Sequence, residues 1–461
     1  MNIQKLMQPK VQSGDEDELH SSIKYGALQS SFGDKRRLLI SSVITDSSVE
    51  SQFVQSHGLP LHRAVIVVAC AALGVGLLNF PYAYEKTGGL VNALSLQTVL
   101  VFFIIGSFFI LGYCGFHYQV KNYEDMVKVH CGPVVQVICQ INIILYMFGC
   151  NVTHMILIGD QLTKVIDQPA WYFDRKIVIT VACVVFILPL CIPEKLQWLS
   201  YSSLLGGFSA VSVCIVVVFR YYVGSYAQNN DISTKSFTFG RMLATVPVIC
   251  FAFQSHVAAV AVHTEILRPT VKRFGLVVLV ATLLCYILYS LTGCFGYLTF
   301  QSNVNSDILN NYHHGDILVD FARIFTVLVV FSTFAIFHFV GRSAVIGLWL
   351  KLRMLTPAQV QNYKNCRRVM TSFVWFFSCL GIALVVPTIS NSIAILGSLA
   401  AHFIFTFPGL CLIQQMLQEE EAMEIKRKLG IILGVVYVVL GVFVFASTIT
   451  LAIYTDLQTR G

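Results

Sequence analysis

Charged side chains are scarce in this sequence: Asp, Glu, Lys and Arg make up 12% of 461 residues, about half the share usual in soluble domains. That scarcity excludes an ordinary cytosolic enzyme. Signal-peptide character is missing as well, because the first ~60 residues are polar and Ser-rich. The first apolar segment must then direct membrane insertion itself. CxxC pairs are absent although there are 14 cysteines. Most of these, Cys183, Cys214, Cys250 and Cys379 among them, fall inside apolar runs, where a free thiol packs as a small hydrophobe. Neither a disulfide framework nor a cysteine-held metal site is expected. HExxH, the Walker loop and the GxSxG elbow are lacking, and Ile158-Gly159-Asp160 lacks the first glycine of the GxGD intramembrane proteases. No enzyme is expected.

What is present is apolar length. Hydrophobic residues reach 56%, arranged in runs long enough to cross a hydrocarbon core of ~30 Å. Eleven spans are expected: Arg63–Tyr84, Val91–His117, Val134–Leu162, Ile177–Ile192, Trp198–Tyr222, Met242–Val262, Gly275–Phe300, Ile317–Leu350, Val369–Ile389, Ser392–Gln415 and Gly430–Tyr454. They lack the period-two alternation of a barrel, and lipid cannot satisfy bare backbone, so they should be helices. The fold class is an all-α integral membrane bundle. Lys35–Arg37, Lys272–Arg273, Lys351, Arg353, Lys364, Arg367, Arg368 and Lys426–Lys428 all fall on one side, which the positive-inside rule makes cytoplasmic, together with the N-terminus. The formal charge of +7 therefore points to anionic membrane lipid, and no nucleic-acid partner is expected.

Residues 1–60 read as a disordered cytoplasmic tail. Within it, Asp34 followed by Leu38 and Leu39 fits an acidic dileucine signal, and Tyr25 with Leu28 fits its tyrosine-based companion. Vesicle-coat adaptors read such motifs, so endosomal or lysosomal membrane is favoured slightly over the plasma membrane.

Two spans carry helix breakers where a helix should run smoothly. In AALGVGLLNFP, Ala71 to Pro81, Gly74 and Gly76 permit unwinding and Pro81 would sit in the half-helix beyond. The sixth span has Pro247 early and a polar Gln254-Ser255-His256 cluster at mid-membrane depth. Broken helices in a bilayer are tolerated where they line a cavity, and transporters place such breaks in corresponding spans of two halves. Breaks five spans apart suggest a five-plus-five core over 61–415, with 416–461 adding a connection and an eleventh helix.

The runs GVGLLNFPYAYEKTGG (Gly74–Gly89), CFAFQSH (Cys250–His256) and FHFVGR (Phe337–Arg342) resemble the amino acid/auxin permease superfamily. Within it the chain is most similar to the sodium-coupled neutral amino acid transporters, in the lysosomal, glutamine- and asparagine-associated subgroup of members seven and eight. The resemblance implies a LeuT-like fold that moves a neutral polar amino acid such as glutamine or asparagine by alternating access, in symport with a cation. It implies that the substrate carboxylate meets backbone N–H groups near Val75 and Gly76. The ammonium would meet carbonyls around Ala71, Ala72 and the Phe251–Gln254 break, and Phe253, Gln254 and Ser255 would select the side chain. Plain packing accounts equally well for Phe251 and Phe253.

The chain departs from that family at its cation site, where Cys70 replaces an asparagine. A thiol is a poor ligand for sodium, which prefers oxygen. Carbonyls near Cys70 and Leu73 with the hydroxyls of Ser332 and Thr333 could still hold a sodium ion. Protons are the alternative coupling ion, and imidazole titrates in the useful range. Of His154, His256, His338 and His402, His256 is the foremost choice because it belongs to the broken sixth span. Asp160 is spaced to pair with Lys164, and Asp320 with Arg323. A second function remains open: an amino-acid sensor of the same fold that signals through its tail.

Overall fold

The computed structural model describes residues 59–460 apart from 119, 121, 167–173, 193–201, 225, 227–237, 268, 354–360, 362, 387–388 and 420–423. The tail motifs at Tyr25, Leu28, Asp34, Leu38 and Leu39 lie outside the described residues. Residues Gly58–Gly461 form one compact unit.

Its helices, in chain order, begin with α1 (Leu61–Ala72), α2 (Gly76–Thr87), α3 (Leu90–Tyr118) and α4 (Tyr123–Ile166). Next, α5 (Arg175–Ala182) runs on through a π-helical turn, Cys183–Ile187, into Leu188–Cys191. Then come α6 (Ser202–Val223), α7 (Phe239–Ala252), α8 (His256–Glu265), α9 (Val271–Phe300) and α10 (Ile317–Arg353). The last are α11 (Lys364–Val385), α12 (Ile389–Ala401), α13 (Phe407–Gln418) and α14 (Glu424–Arg460), with a second π-helical turn, His402–Thr406, joining α12 to α13. Each wide turn stands just before a proline, Pro189 or Pro408, whose missing N–H and bulky ring disturb the regular ladder.

Among the described residues nine helices are long and apolar enough to span a membrane, and ten if the bent pair α1–α2 counts as one. Eleven were expected. The expected fourth span, Ile177–Ile192, accounts for the difference: α5 is helical only from Arg175 to Cys191 and opens on Arg175 and Lys176. The expected third span starts later than the helix does. Gly132 adopts φ +86°, which an L side chain rarely reaches, and the chain turns there between Tyr123–Cys131 and the long run after Pro133.

Apolar side chains such as Phe102, Val134 and Val374 point outward and are exposed, as lipid-facing surfaces require. Inside, α10 runs along α4, α7 lies between α2 and α12, and α9 touches α1, α2, α3 and α6. At one end a parallel backbone bridge joins Leu59 to Ile266: Leu59 N–H donates to Glu265 C=O at 2.7 Å, and Leu267 N–H to Leu59 C=O at 3.0 Å. The start of α1 is thereby tied to the end of α8. Arg323, fully buried, donates to Asp320 at 2.6 Å and to the carbonyls of Leu309 and Tyr312, anchoring the segment between α9 and α10. Asp160 pairs with Arg175 of α5 at 2.7 Å instead of Lys164.

Candidate functional site

Helix α1 stops at Ala72 because Leu73 turns extended (φ −70°, ψ 108°), and α2 restarts at Gly76 with its axis bent by 57°. The gap leaves the N–H groups of Gly74 and Val75 without a backbone acceptor among the described residues. With the partial positive charge of the α2 N-terminus, they form a set of donors suited to an anion. Gly74 has open space where a side chain would begin. Gly76 does not: a Cβ there would lie 2.9 Å from the Cα of Ala252, so this glycine serves the close approach of α2 to α7. Pro81 sits inside α2, and Pro247 inside α7 ahead of its break.

The second break falls at Phe253–Ser255, between α7 and α8. Its ends meet those of the first through a residue the motifs did not flag. The Tyr289 hydroxyl, from α9, lies 2.8 Å from the carbonyl of Ala72 and 2.8 Å from that of Ala252. Phe80 stacks on the Tyr289 ring at 4.5 Å, and Phe253 meets it edge-on at 4.9 Å. Phe253 is thus part of an aromatic cluster, and Phe251 leans on Tyr146. Gln254 and Ser255 are buried, and Gln254 Nε2 has no hydrogen-bond partner among the described residues. Ala71 is half-buried in the last turn of α1.

Beside the first break lies a cavity of ≈ 30 Å³, bounded by Leu73, Gly74 and Val75 and by residues of α4, α6 and α10. A volume of that size holds about one water molecule or one bare cation. Its polar side chains are His154, Ser209, Thr326 and Thr333. The Thr333 hydroxyl donates back to Val329 C=O at 3.1 Å, which leaves its oxygen lone pairs available to a cation. His154 is the one ionisable side chain in the lining. Its Nδ1 is 2.5 Å from Cys150 C=O, so Nδ1 carries the proton and Nε2 is an acceptor.

The family comparison decides what kind of membrane protein this is. Residues 58–454 match the family described as transmembrane amino acid transporter protein. The chain belongs to that family. This family member is 36% identical to sodium-coupled neutral amino acid transporter 7 of Xenopus laevis over 436 residues, 92% of this chain and 96% of that protein. It is also 36% identical to the Homo sapiens protein of that name, covering 93% and 96% of the two chains. Identity to putative sodium-coupled neutral amino acid transporter 8 of Xenopus tropicalis is 34%, with 85% and 92% covered. The family places the chain among transporters and not enzymes.

In this transporter-family chain the expected coupling residues are not gathered in one place. Leu73 and Thr333 share the small cavity. The sulfur of Cys70 instead approaches Gly207 of α6, and the side chain of Ser332 lies outside the described residues. His256 is fully buried between α8 and α3: Nε2 is 2.6 Å from Ser107 Oγ, and the ring stacks on Phe108 at 3.9 Å. The cavity holds His154 in its place. Both histidines sit in apolar helices, and only the rotation of each helix against its neighbours separates them. Among the described residues, no group of three or more His, Cys, Asp or Glu could hold a metal ion.

Proposed function

We propose that this protein is a cation-coupled secondary transporter of neutral polar amino acids such as glutamine and asparagine, working by alternating access. Residues 61–415 then form a LeuT-like five-plus-five repeat, and 416–461 add the eleventh helix. The N-terminus is cytoplasmic, and the tail motifs direct the protein to lysosomal or endosomal membrane. The names of the relatives, sodium-coupled neutral amino acid transporters, support neutral amino-acid cargo and sodium coupling. The observation that carries the reading is the pair of breaks joined at Tyr289: free N–H donors at the α2 end suit a carboxylate, and clustered carbonyls suit an ammonium.

Sodium would sit between Leu73 and Thr333, whose oxygen donors suit a hard cation. A proton is the second reading, and His154 favours it as the ionisable group on that cavity. Uptake of labelled glutamine into proteoliposomes, with sodium and proton gradients imposed separately, separates the two. Under sodium coupling, Thr333→Ala raises the half-saturating sodium concentration about tenfold, the worth of one ligand of ~1.4 kcal/mol, and His154→Gln leaves sodium dependence in place. Under proton coupling, His154→Gln abolishes the driven component and Thr333→Ala changes little. Binding without uptake in either gradient would overturn transport in favour of a sensor.

A further inference from the structure

We propose that Asp307, held between Gln161 of α4 and the turn that follows it, is a proton-binding site that latches one end of the substrate pathway. The latch is closed when the carboxyl is protonated and released when it ionises. This rests on the transport reading above, in which that end faces away from the cytoplasm.

Asp307 lies in the segment between α9 and α10 and is 1% exposed. One carboxyl oxygen accepts from Leu309 N–H at 3.1 Å, and the other from Gln161 Nε2. The preceding residue, Ser306, accepts through its carbonyl from Asn79 Nδ2 of α2 at 2.7 Å. Two consecutive residues thus pin the segment to α4 and to the outer half of the broken first span. When α2 swings to open the pathway, these contacts must part.

The site is poor in protons. Gln161 and Asn79 are both buried, and Gln161 Oε1 and Asn79 Oδ1 have no hydrogen-bond partner among the described residues. An ionised Asp307 adds another acceptor to this group. A proton from the outer solution turns that carboxylate into a donor. With the Gln161 amide turned over, the new O–H donates to Oε1 in place of the bond that Nε2 gives the carboxylate, so one hydrogen bond replaces another and Asp307 is held without a buried negative charge. A cavity of ≈ 340 Å³, lined in part by Asp160, Ser306, Asn310 and His314, gives the proton a polar approach.

The charges around Asp307 oppose one another. On α4, Asp160 disfavours a second negative charge, although Arg175 of α5 pairs with it. On α10, Arg323 favours the carboxylate. Lys164 and His314 face each other across the outer cavity at 3.4 Å. α2 contributes neutral Asn79, and the second half of α9 carries no charged residue. Burial outweighs the rest. With Asp160 it pushes the carboxyl up to about 7, against the pull of Leu309 N–H, Gln161 and Arg323. Opening would hydrate the carboxyl and return it toward ~3.9. Closure therefore takes up a proton between those values: acid holds the latch shut, and its stability is lost as pH rises through about 7.

The test uses the full chain in lipid bilayers. Infrared difference spectra against pH should show one carboxyl titrating near neutrality, absent in Asp307→Asn. Its midpoint should fall in Asp160→Asn, which removes a neighbouring negative charge and frees Arg175. Uptake of a neutral amino acid from the outer side should rise about tenfold as outer pH is raised from ~6 to ~7, since one pH unit is a tenfold change in protonation. The rise should flatten in Asp307→Asn, which stays neutral, and return in Asp307→Glu. A near-neutral carboxyl that survives in Asp307→Asn, or an unchanged pH profile in that variant, overturns the latch. Titration as expected with no uptake by any variant keeps the proton site and defeats the transport reading instead.

Discussion

Gly76→Ala is expected to cut the initial uptake rate roughly tenfold to a hundredfold, the rate equivalent of ~1–3 kcal/mol of overpacking. The new methyl would sit 2.9 Å from the Cα of Ala252. That neighbour is backbone, so it cannot swing aside as the tip of a side chain could, and α2 would be pushed off α7. Those two helices bring the α2 donors up to the second break, so a small displacement separates the two halves of the site. Gly74→Ala would not push α2 off α7, because nothing lies within 4 Å of its new methyl, and any loss of uptake there reports on the cavity that Gly74 borders. The opposing methyl, 2.8 Å from the new one, supplies a comparison: Gly76→Ala with Ala252→Gly removes that contact but leaves the Cα, so uptake should recover only in part, a coupling expected of directly touching residues. If the double variant is no better than Gly76→Ala alone, the contact does not limit transport. Uptake per molecule at the membrane, corrected for the amount of protein inserted, is the quantity to compare.

Both ends of the pathway are tied in this conformation. The Leu59 to Ile266 bridge holds α1 against α8 at one end, and Asn79 to Ser306 holds α2 against the α9–α10 segment at the other. A cavity of ≈ 30 Å³ between them is too small for an amino acid of glutamine's size. In the transport reading this is a closed state, and loading substrate requires one tie to part and the breaks to spread. α1 and α2 meet at a 57° bend where the N–H groups of Gly74 and Val75 lack a backbone hydrogen bond among the described residues, so the bend holds fewer backbone bonds than the helices on either side of it.

The breaks were legible in the sequence for a physical reason. Glycines, a proline or a polar triplet in an apolar run conflict locally with a continuous membrane helix, and a conflict of that kind shows without knowing the fold. The partner of a break carries no such mark. Tyr289 lies in the smooth apolar run Val271–Phe300, and nothing in its neighbours tells that its hydroxyl reaches two carbonyls. The same limit applies to His154 and His256: burial in an apolar helix is readable, whereas the direction a side chain faces depends on helix rotation. Hydropathy marks the fourth span at Ile177–Ile192, and a helix runs there from Arg175 to Cys191, shorter than the other candidate spans among the described residues. Asp160 chose Arg175 over Lys164 because the nearer partner in space came from another helix.

Tyr289→Phe is expected to lower the thermal midpoint of the substrate-free protein by a few degrees and to lower the half-saturating substrate concentration about fivefold. The aromatic ring should keep its place, because its stack on Phe80 and its edge contact with Phe253 do not involve the hydroxyl. What is lost is one O–H shared between the carbonyls of Ala72 and Ala252, each 2.8 Å away. One proton cannot serve both acceptors fully, whereas a substrate ammonium brings three. In the transport reading the phenol therefore stands in for part of the ammonium in the empty site, and substrate displaces it. Removing the hydroxyl leaves buried carbonyls unsatisfied at a cost of ~1–3 kcal/mol, which lowers stability until substrate arrives. The same loss spares substrate the displacement of a hydrogen bond worth ~1 kcal/mol net. Substrate should accordingly raise the melting temperature of Tyr289→Phe more than that of the wild type. If the two proteins melt alike with and without substrate, the hydroxyl does not compete for the substrate site, and the ammonium must bind elsewhere.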